Sequence, residues 1–135
     1  MTRFMLDTDI CVELLRGRAP GVFDRMRQCD VDAVSISTIT LAELYYGVRK
    51  SARPAHHEAL LIRICAPLAV LPFDARAAET CGRVRAALEQ DGTPIGPLDT
   101  LIAAHALSQG LTLITRNDRE FPRVSNLLVE NWLSA

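Results

Sequence analysis

Short apolar runs alternate along this chain with longer segments of helical period, and no other feature limits the possible folds so tightly. Arg3 to Leu6, Ala33 to Ser37, Ala69 to Pro72 and Leu111 to Thr115 read as strands, and Leu127 to Glu130 as a final edge strand. Between them, Ile10 to Arg16, Val22 to Cys29, Thr38 to Lys50, Pro54 to about Cys65, Asp74 or Ala75 to about Gln90, and Pro97 to Ser108 read as helices. Ile39, Leu41, Leu44, Tyr45 and Val48 give the third of these a wide apolar face. The punctuation agrees. Gly17 to Gly21 breaks the first helix, Pro54 and Pro97 suit helix starts, and Gly110 closes the last helix. Strands repeatedly separated by helices predict an α/β chain: a three-layer α/β/α architecture around a central parallel sheet of four to five strands.

At 135 residues, 49% hydrophobic and 23% charged, the chain has the size and balance of one domain, residues 1–135, with a real core. No opening signal series and no uncharged run of about 18 to 20 residues is present, so a soluble, cytoplasmic protein is expected, without membrane contact. Cys11, Cys29, Cys65 and Cys81 are widely spaced and form no CxxC pair, which suits reduced, packed thiols.

In parallel sheets of this kind each strand delivers its C-terminal end, and the following helix its N-terminus, to one edge, where sites usually lie. Asp7 ends the first strand. Glu43 sits in the first turns of the helix after the second, Asp99 in the first turn of the Gly96-Pro97 helix, and Asn117-Asp118 just beyond "LTLIT". Each acid also has a purely structural explanation. Asp7 or Asp9 could cap the first helix, Thr40-Leu-Ala-Glu43 matches a capping box, and Asp99 would complement a helix dipole.

Magnitudes separate the explanations. Three carboxylates about 5 Å apart at an effective dielectric near 20 repel by about 10 kcal/mol in total. Helix dipoles return only about 0.3 to 1 kcal/mol each. Gathered acids would therefore have to be protonated or to share a cation, and hard carboxylate oxygens favour Mg²⁺ or Mn²⁺, which also bind phosphate. On this basis Phe4 to Leu6 is the buried strand, Asp7 a metal ligand, and Thr8 and Asp9 the start of the next helix. The formal charge is −1, yet 14 of the 15 basic residues are arginine, and withdrawing four acids into a metal site leaves about +3 on the remaining surface. Arginine forks suit phosphate oxygens.

"MLDTD", "ISTITLAELYYGVRKS", "GTPIGPLDTLIAAHALSQGLTLITRNDREFPRV" and the closing "VENW", in this order and over nearly the whole chain, resemble the VapC-type toxins of the PIN-domain ribonuclease family. The resemblance implies a PIN-like domain with metal-dependent endoribonuclease activity: the toxin of a type II toxin–antitoxin pair, acting on structured RNA such as tRNA. It implies a cognate VapB-like antitoxin and a homodimer. It also implies that Asp7 and Asp99 are the principal metal-binding acids, that Glu43 is the third acid, and that Thr115 holds a water or a carboxylate. The fourth position falls on Asn117 when counted from Thr115 and on Asp118 when counted back from Phe121. Mg²⁺, with Mn²⁺ as a substitute, would activate the attacking water.

Arg116 and Arg119 flank that segment and are candidates for phosphate contact, or solvated loop charges. Leu14, Leu15, Tyr45 and Tyr46 would line an apolar groove for an antitoxin helix, or pack in the core. His56 and His57 are expected to be exposed and His105 to pack or hydrogen-bond, none with a catalytic role. Two other functions compete. A degenerate PIN module would bind RNA or a partner without cutting. "LDTDIC" is also similar to the DxDxT opening of haloacid-dehalogenase-like phosphohydrolases, although Cys11 stands where that motif has threonine and Lys50 is the only lysine.

Overall fold

A computed structural model describes residues 1–133. The elements follow in the order β1 (Phe4–Leu6), α1 (Thr8–Leu15), α2 (Pro20–Arg27), β2 (Val34–Ser37), α3 (Thr38–Lys50), α4 (Pro54–Cys65), β3 (Ala69–Leu71), α5 (Ala75–Gln90), α6 (Pro97–Gln109), β4 (Thr112–Ile114) and β5 (Val129–Glu130). The five strands form one sheet in the order β3-β2-β1-β4-β5, and every pairing is parallel. The expected three-layer α/β/α fold is what the chain adopts.

Alternation along the strands divides the core. Phe4, Leu6, Val34, Ile36 and Ile114 pack with α1 to α4, whereas Met5 and Leu113 pack with α5 and α6. β1 is central, with helices on both faces, and so all three of its side chains are buried. α6 is apolar on nearly every side because it lies between the sheet and α5; Ile102, Ala103, Ala104, His105 and Ala106 are fully buried. The end of the chain returns to the other layer. Trp132 meets Phe4 edge-on at 4.9 Å and carries the Arg25 guanidinium over its ring at 4.8 Å. Its carbonyl passes so close to Gly21 that a Cβ there would stand 2.8 Å away, so this crossing requires glycine.

α1 begins at Thr8, as the reading of Thr8 and Asp9 as a helix start expects, because the Asp7 side chain caps it by accepting the Ile10 N–H. α2 begins at Pro20 rather than Val22, with proline at its first position. Gly110 ends α6 in the left-handed conformation, φ 68°, as expected of a helix-stopping glycine. A short 3₁₀ turn, Phe121–Arg123, was not anticipated; it buries Phe121 against the α5–α6 layer.

Candidate active site

Strand register builds the centre of the site. Leu6 of β1 pairs with Ile114 of β4, so the next residues of the two strands, Asp7 and Thr115, stand side by side. The Asp7 amide donates to the Ile114 carbonyl at 2.9 Å, and Thr115 N–H to the Glu130 carbonyl at 2.9 Å, which fixes both backbones. Asp7 is only 3% exposed. One carboxylate oxygen, Oδ1, accepts from Ile10 N–H at 3.0 Å, and the other, Oδ2, accepts from the Thr115 hydroxyl. The capping role and a place in the site are therefore compatible in this residue.

Burial pushes the Asp7 carboxyl up from 3.8 to about 6; the Thr115 and Ile10 hydrogen bonds oppose the rise, and the charges of Asp9 and Asp99 add to it. Asp99, half-buried in the first turn of α6, is also raised, first by burial and then by Asp9, Glu120 and Glu43. Asp7, Asp9, Glu43, Asp99 and Glu120 thus share one electrostatic neighbourhood, brought together from β1, the first turn of α1, α3, α6 and the loop after β4.

Glu43 does not serve the capping box. α3 is capped by Ser37, whose hydroxyl accepts Ile39 N–H at 3.0 Å, which places Glu43 one turn further in. Its Oε1 accepts instead from Thr8 at 2.6 Å, with the Thr40 hydroxyl 3.2 Å from the same Thr8 oxygen. Ser37 in turn meets Nδ1 of buried His105 at 2.8 Å, so this histidine ties α6, which carries Asp99, to the start of α3, which carries Glu43. His56 is exposed as expected; His57 is not, because it lines a groove described below.

The loop after β4 departs from the sequence expectation. Asn117 spends its amide group on Glu120, accepting that residue's N–H at 3.2 Å and donating to its carboxylate at 3.0 Å. Asp118 is exposed and makes no hydrogen bond or ion pair among the described residues. The loop acid whose charge reaches Asp99 is Glu120, missed because its place depends on the Asn117 ring rather than on its spacing from a strand. Arg116 pairs with Glu13 at 3.2 Å and approaches Asp9 at 3.9 Å; Arg119 is exposed without an ion pair among the described residues. Glu13, 6% exposed on the buried face of α1, was also missed, although an acid one turn after Ile10 on an apolar face was a readable signal.

A groove of about 290 Å³ opens beside the acids between α1, α3 and α4, lined among others by Thr8, Val12, Leu15, Glu43, Leu44 and His57. Leu15 takes the expected place there. Leu14 does not, being 2% exposed in the core, and Tyr45 and Tyr46 are exposed on α3 outside the lining. Successive helix residues point about 100° apart, so Leu14 turns into the core where Leu15 faces the groove, and Tyr45 and Tyr46 fall on the side of α3 away from Glu43, Leu44 and Gly47.

The PIN domain family model matches residues 4–127. A tRNA(fMet)-specific endonuclease VapC of Shigella flexneri is 41% identical over 132 residues, covering 98% of this chain and 99% of that protein. This chain belongs to the VapC ribonucleases of the PIN-domain family. Ribonuclease VapC2 of Rickettsia felis is 38% identical over 130 residues, 96% of this chain and 97% of its own length. Among solved structures, the DNA-bound VapBC of Salmonella typhimurium superposes with a TM-score of 0.93 at 39% identity, covering 98% of this chain and 99% of that one. The PIN match removes the haloacid-dehalogenase-like alternative.

The acids of this VapC site fit a small hard cation. No three His, Cys, Asp or Glu side chains form a ready chelate among the described residues, since Glu43 is drawn to Thr8 and Glu120 to Asn117. Asp7 and Asp99 remain as hard oxygen donors whose charges disfavour each other. Mg²⁺ characteristically uses one or two carboxylates and completes its shell with water and phosphate.

Proposed function

We propose that this chain is a Mg²⁺-dependent endoribonuclease, with Mn²⁺ able to substitute, acting as the toxin of a type II toxin–antitoxin pair from a single domain spanning residues 1–135. The observation that carries the proposal is the placing of Asp7 and Asp99 at one sheet edge, where burial and neighbouring acids raise both carboxyls. Such a concentration of acid is useful chiefly where a cation and a phosphodiester meet it. The names of the VapC relatives supply the substrate class: RNA, with tRNA the first to test.

Asp7 and Asp99 hold the ion, and Thr115 fixes the Asp7 carboxylate through its hydroxyl. Glu43, steadied by Thr8, orients the attacking water or completes the ligand set. Asn117 holds Glu120, which takes the fourth acidic place; Asp118 stands further out. Arg116 meets an RNA phosphate, whereas Arg119, exposed and without an ion pair among the described residues, is a solvated loop charge. The chemistry a divalent ion supplies here is a more acidic water, an oriented phosphate and relief of charge on the leaving oxygen.

Retention of the acids favours an enzyme over a degenerate PIN module that binds without cutting. RNA ends sequenced after brief expression in cells test this directly. New ends are expected with the wild type and none with Asp99→Asn; identical end profiles for the two would refute the enzyme.

A VapB-like antitoxin is the partner, as the VapBC structures of the relatives suggest, and its apolar helix occupies the groove beside Glu43. Gly47 lines that groove, and a Cβ on it would meet nothing within 4 Å. Gly47→Arg should therefore keep the fold and cleavage while weakening antitoxin binding by about tenfold or more, measured by calorimetry; the loss of one well-filled contact is worth about 1 to 3 kcal/mol. A homodimer and a cytoplasmic location belong to the same proposal.

A further inference from the structure

The ionic arrangement beside the acids is unusual in one respect: its centre is a buried glutamate. The Glu13 side chain is 8% exposed and both its oxygens are engaged by Arg18, at 2.9 Å from Nε and 2.9 Å from Nη2. The Arg18 N–H also donates to the Glu13 carbonyl at 2.9 Å, closing the turn that follows α1. Such bidentate pairing is directional and consumes the acceptor geometry of the carboxylate. Arg116 nonetheless adds a third contact, Nη1 to Oε1 at 3.2 Å, with its Nε 3.9 Å from Asp9.

Arg116 is anchored at its other end too. Its backbone lies between Thr115, whose hydroxyl binds Asp7, and Asn117, whose N–H donates to the same hydroxyl at 2.9 Å. The guanidinium is therefore held from Glu13 on one side and from the centre of the site on the other, while its side chain stays 52% exposed. Of its five N–H donors one is spent on Glu13, and an arginine fork with donors to spare matches a phosphate bidentately. Asp9 adds nothing that would prevent this, because a separation of 3.9 Å is too long for a hydrogen bond.

We propose that Glu13, itself clamped by Arg18, is a positioning residue that holds Arg116 at the mouth of the acidic site as the clamp for an RNA backbone phosphate. Arg119, without a partner among the described residues, does not share this role. The proposal rests on the endoribonuclease function above, but it can fail separately.

Binding of labelled bulk tRNA to the full chain carrying Asp99→Asn, titrated over salt, isolates the clamp from cleavage. In that background Arg116→Ala is expected to weaken binding about tenfold and to lower the salt slope by about one, the loss of one phosphate contact. Arg119→Ala should stay within about twofold. Glu13→Gln should weaken binding about threefold, yet change nothing further once Arg116 is alanine, because its effect passes through that side chain. With the Asp99 carboxylate intact, Glu13→Gln should raise KM and leave kcat in place. If Glu13→Gln folds poorly, Arg18→Ala, at a half-exposed position, releases the same carboxylate and should give the same dependence on Arg116. Binding unchanged by Arg116→Ala, or a Glu13 effect of equal size with and without Arg116, would overturn the clamp. Absence of RNA cleavage by the wild type with Mg²⁺ would instead overturn the enzyme and leave these binding results standing.

Discussion

Asp7 and Asp99 face the same space from opposite kinds of support. Asp7 ends a central strand, has hydrogen bonds to both oxygens and is 3% exposed. Asp99 rides in the first turn of α6, half-buried, over Gly96, where even an added Cβ would lie 3.5 Å from its Oδ2. The sheet places the first acid through its register; a helix, and the His105–Ser37 contact beneath it, places the second. One position is built into the fold and the other is attached to it. Function should therefore be hard to separate from stability at Asp7 and easy to separate at Asp99.

The largest effect should not distinguish the two. Asp7→Asn and Asp99→Asn should each lower RNA cleavage by more than about 100-fold, beyond the loss usual for residues that merely support a metal ligand. Appreciable cleavage by either variant, with circular dichroism showing a native fold, would break the pairing.

Stability should then set them apart. Asp7 has its carboxyl raised from 3.8 to about 6, so its contribution is fully present below the unfolded value and is lost as pH rises through about 6. Relative to Asp7→Asn, which stays neutral, the metal-free wild type should lose about 2 kcal/mol of unfolding free energy between about pH 4 and pH 7. Asp99→Asn should show the same sign with a smaller change, since water screens its half-exposed carboxyl. Urea titrations at several pH values would measure both, and equal changes would show that strand and helix support the acids alike.

Two smaller effects sharpen the contrast. Thr115→Val removes the hydroxyl that holds Asp7 and should reduce cleavage about tenfold, with the acidic limb of the rate profile moved to higher pH. Asp118→Ala, at an exposed position, should stay within about twofold of the wild type in the same assay.

Much of this arrangement was visible in the sequence because the period of the apolar residues and the glycine and proline punctuation agree with each other. Gly110 stops α6 where expected, and Pro54 and Pro97 start helices where expected. Asp7, Glu43 and Asp99 were legible because parallel sheets send strand and helix ends to one edge. What escaped depended on which of two nearby groups wins a contact. A capping box at Thr40 and a cap at Ser37 are both good local solutions, and the chain takes the second, with α3 starting directly after β2. Glu120 enters through a hydrogen-bonded ring with Asn117, and Tyr45 and Tyr46 turn away from the groove through helical phase.

The sheet order also sets a schedule for the chain as it leaves the ribosome. β1 emerges first but completes its pairing only with β4, and the Asp7–Thr115 contact spans 108 residues of sequence. Such distant closure makes assembly slow compared with local helix formation. A nascent or truncated chain lacking β4 has the first acid without its hydroxyl, and without the strand that aligns it. The centre of the site thus exists only once the first strand and the fourth have met.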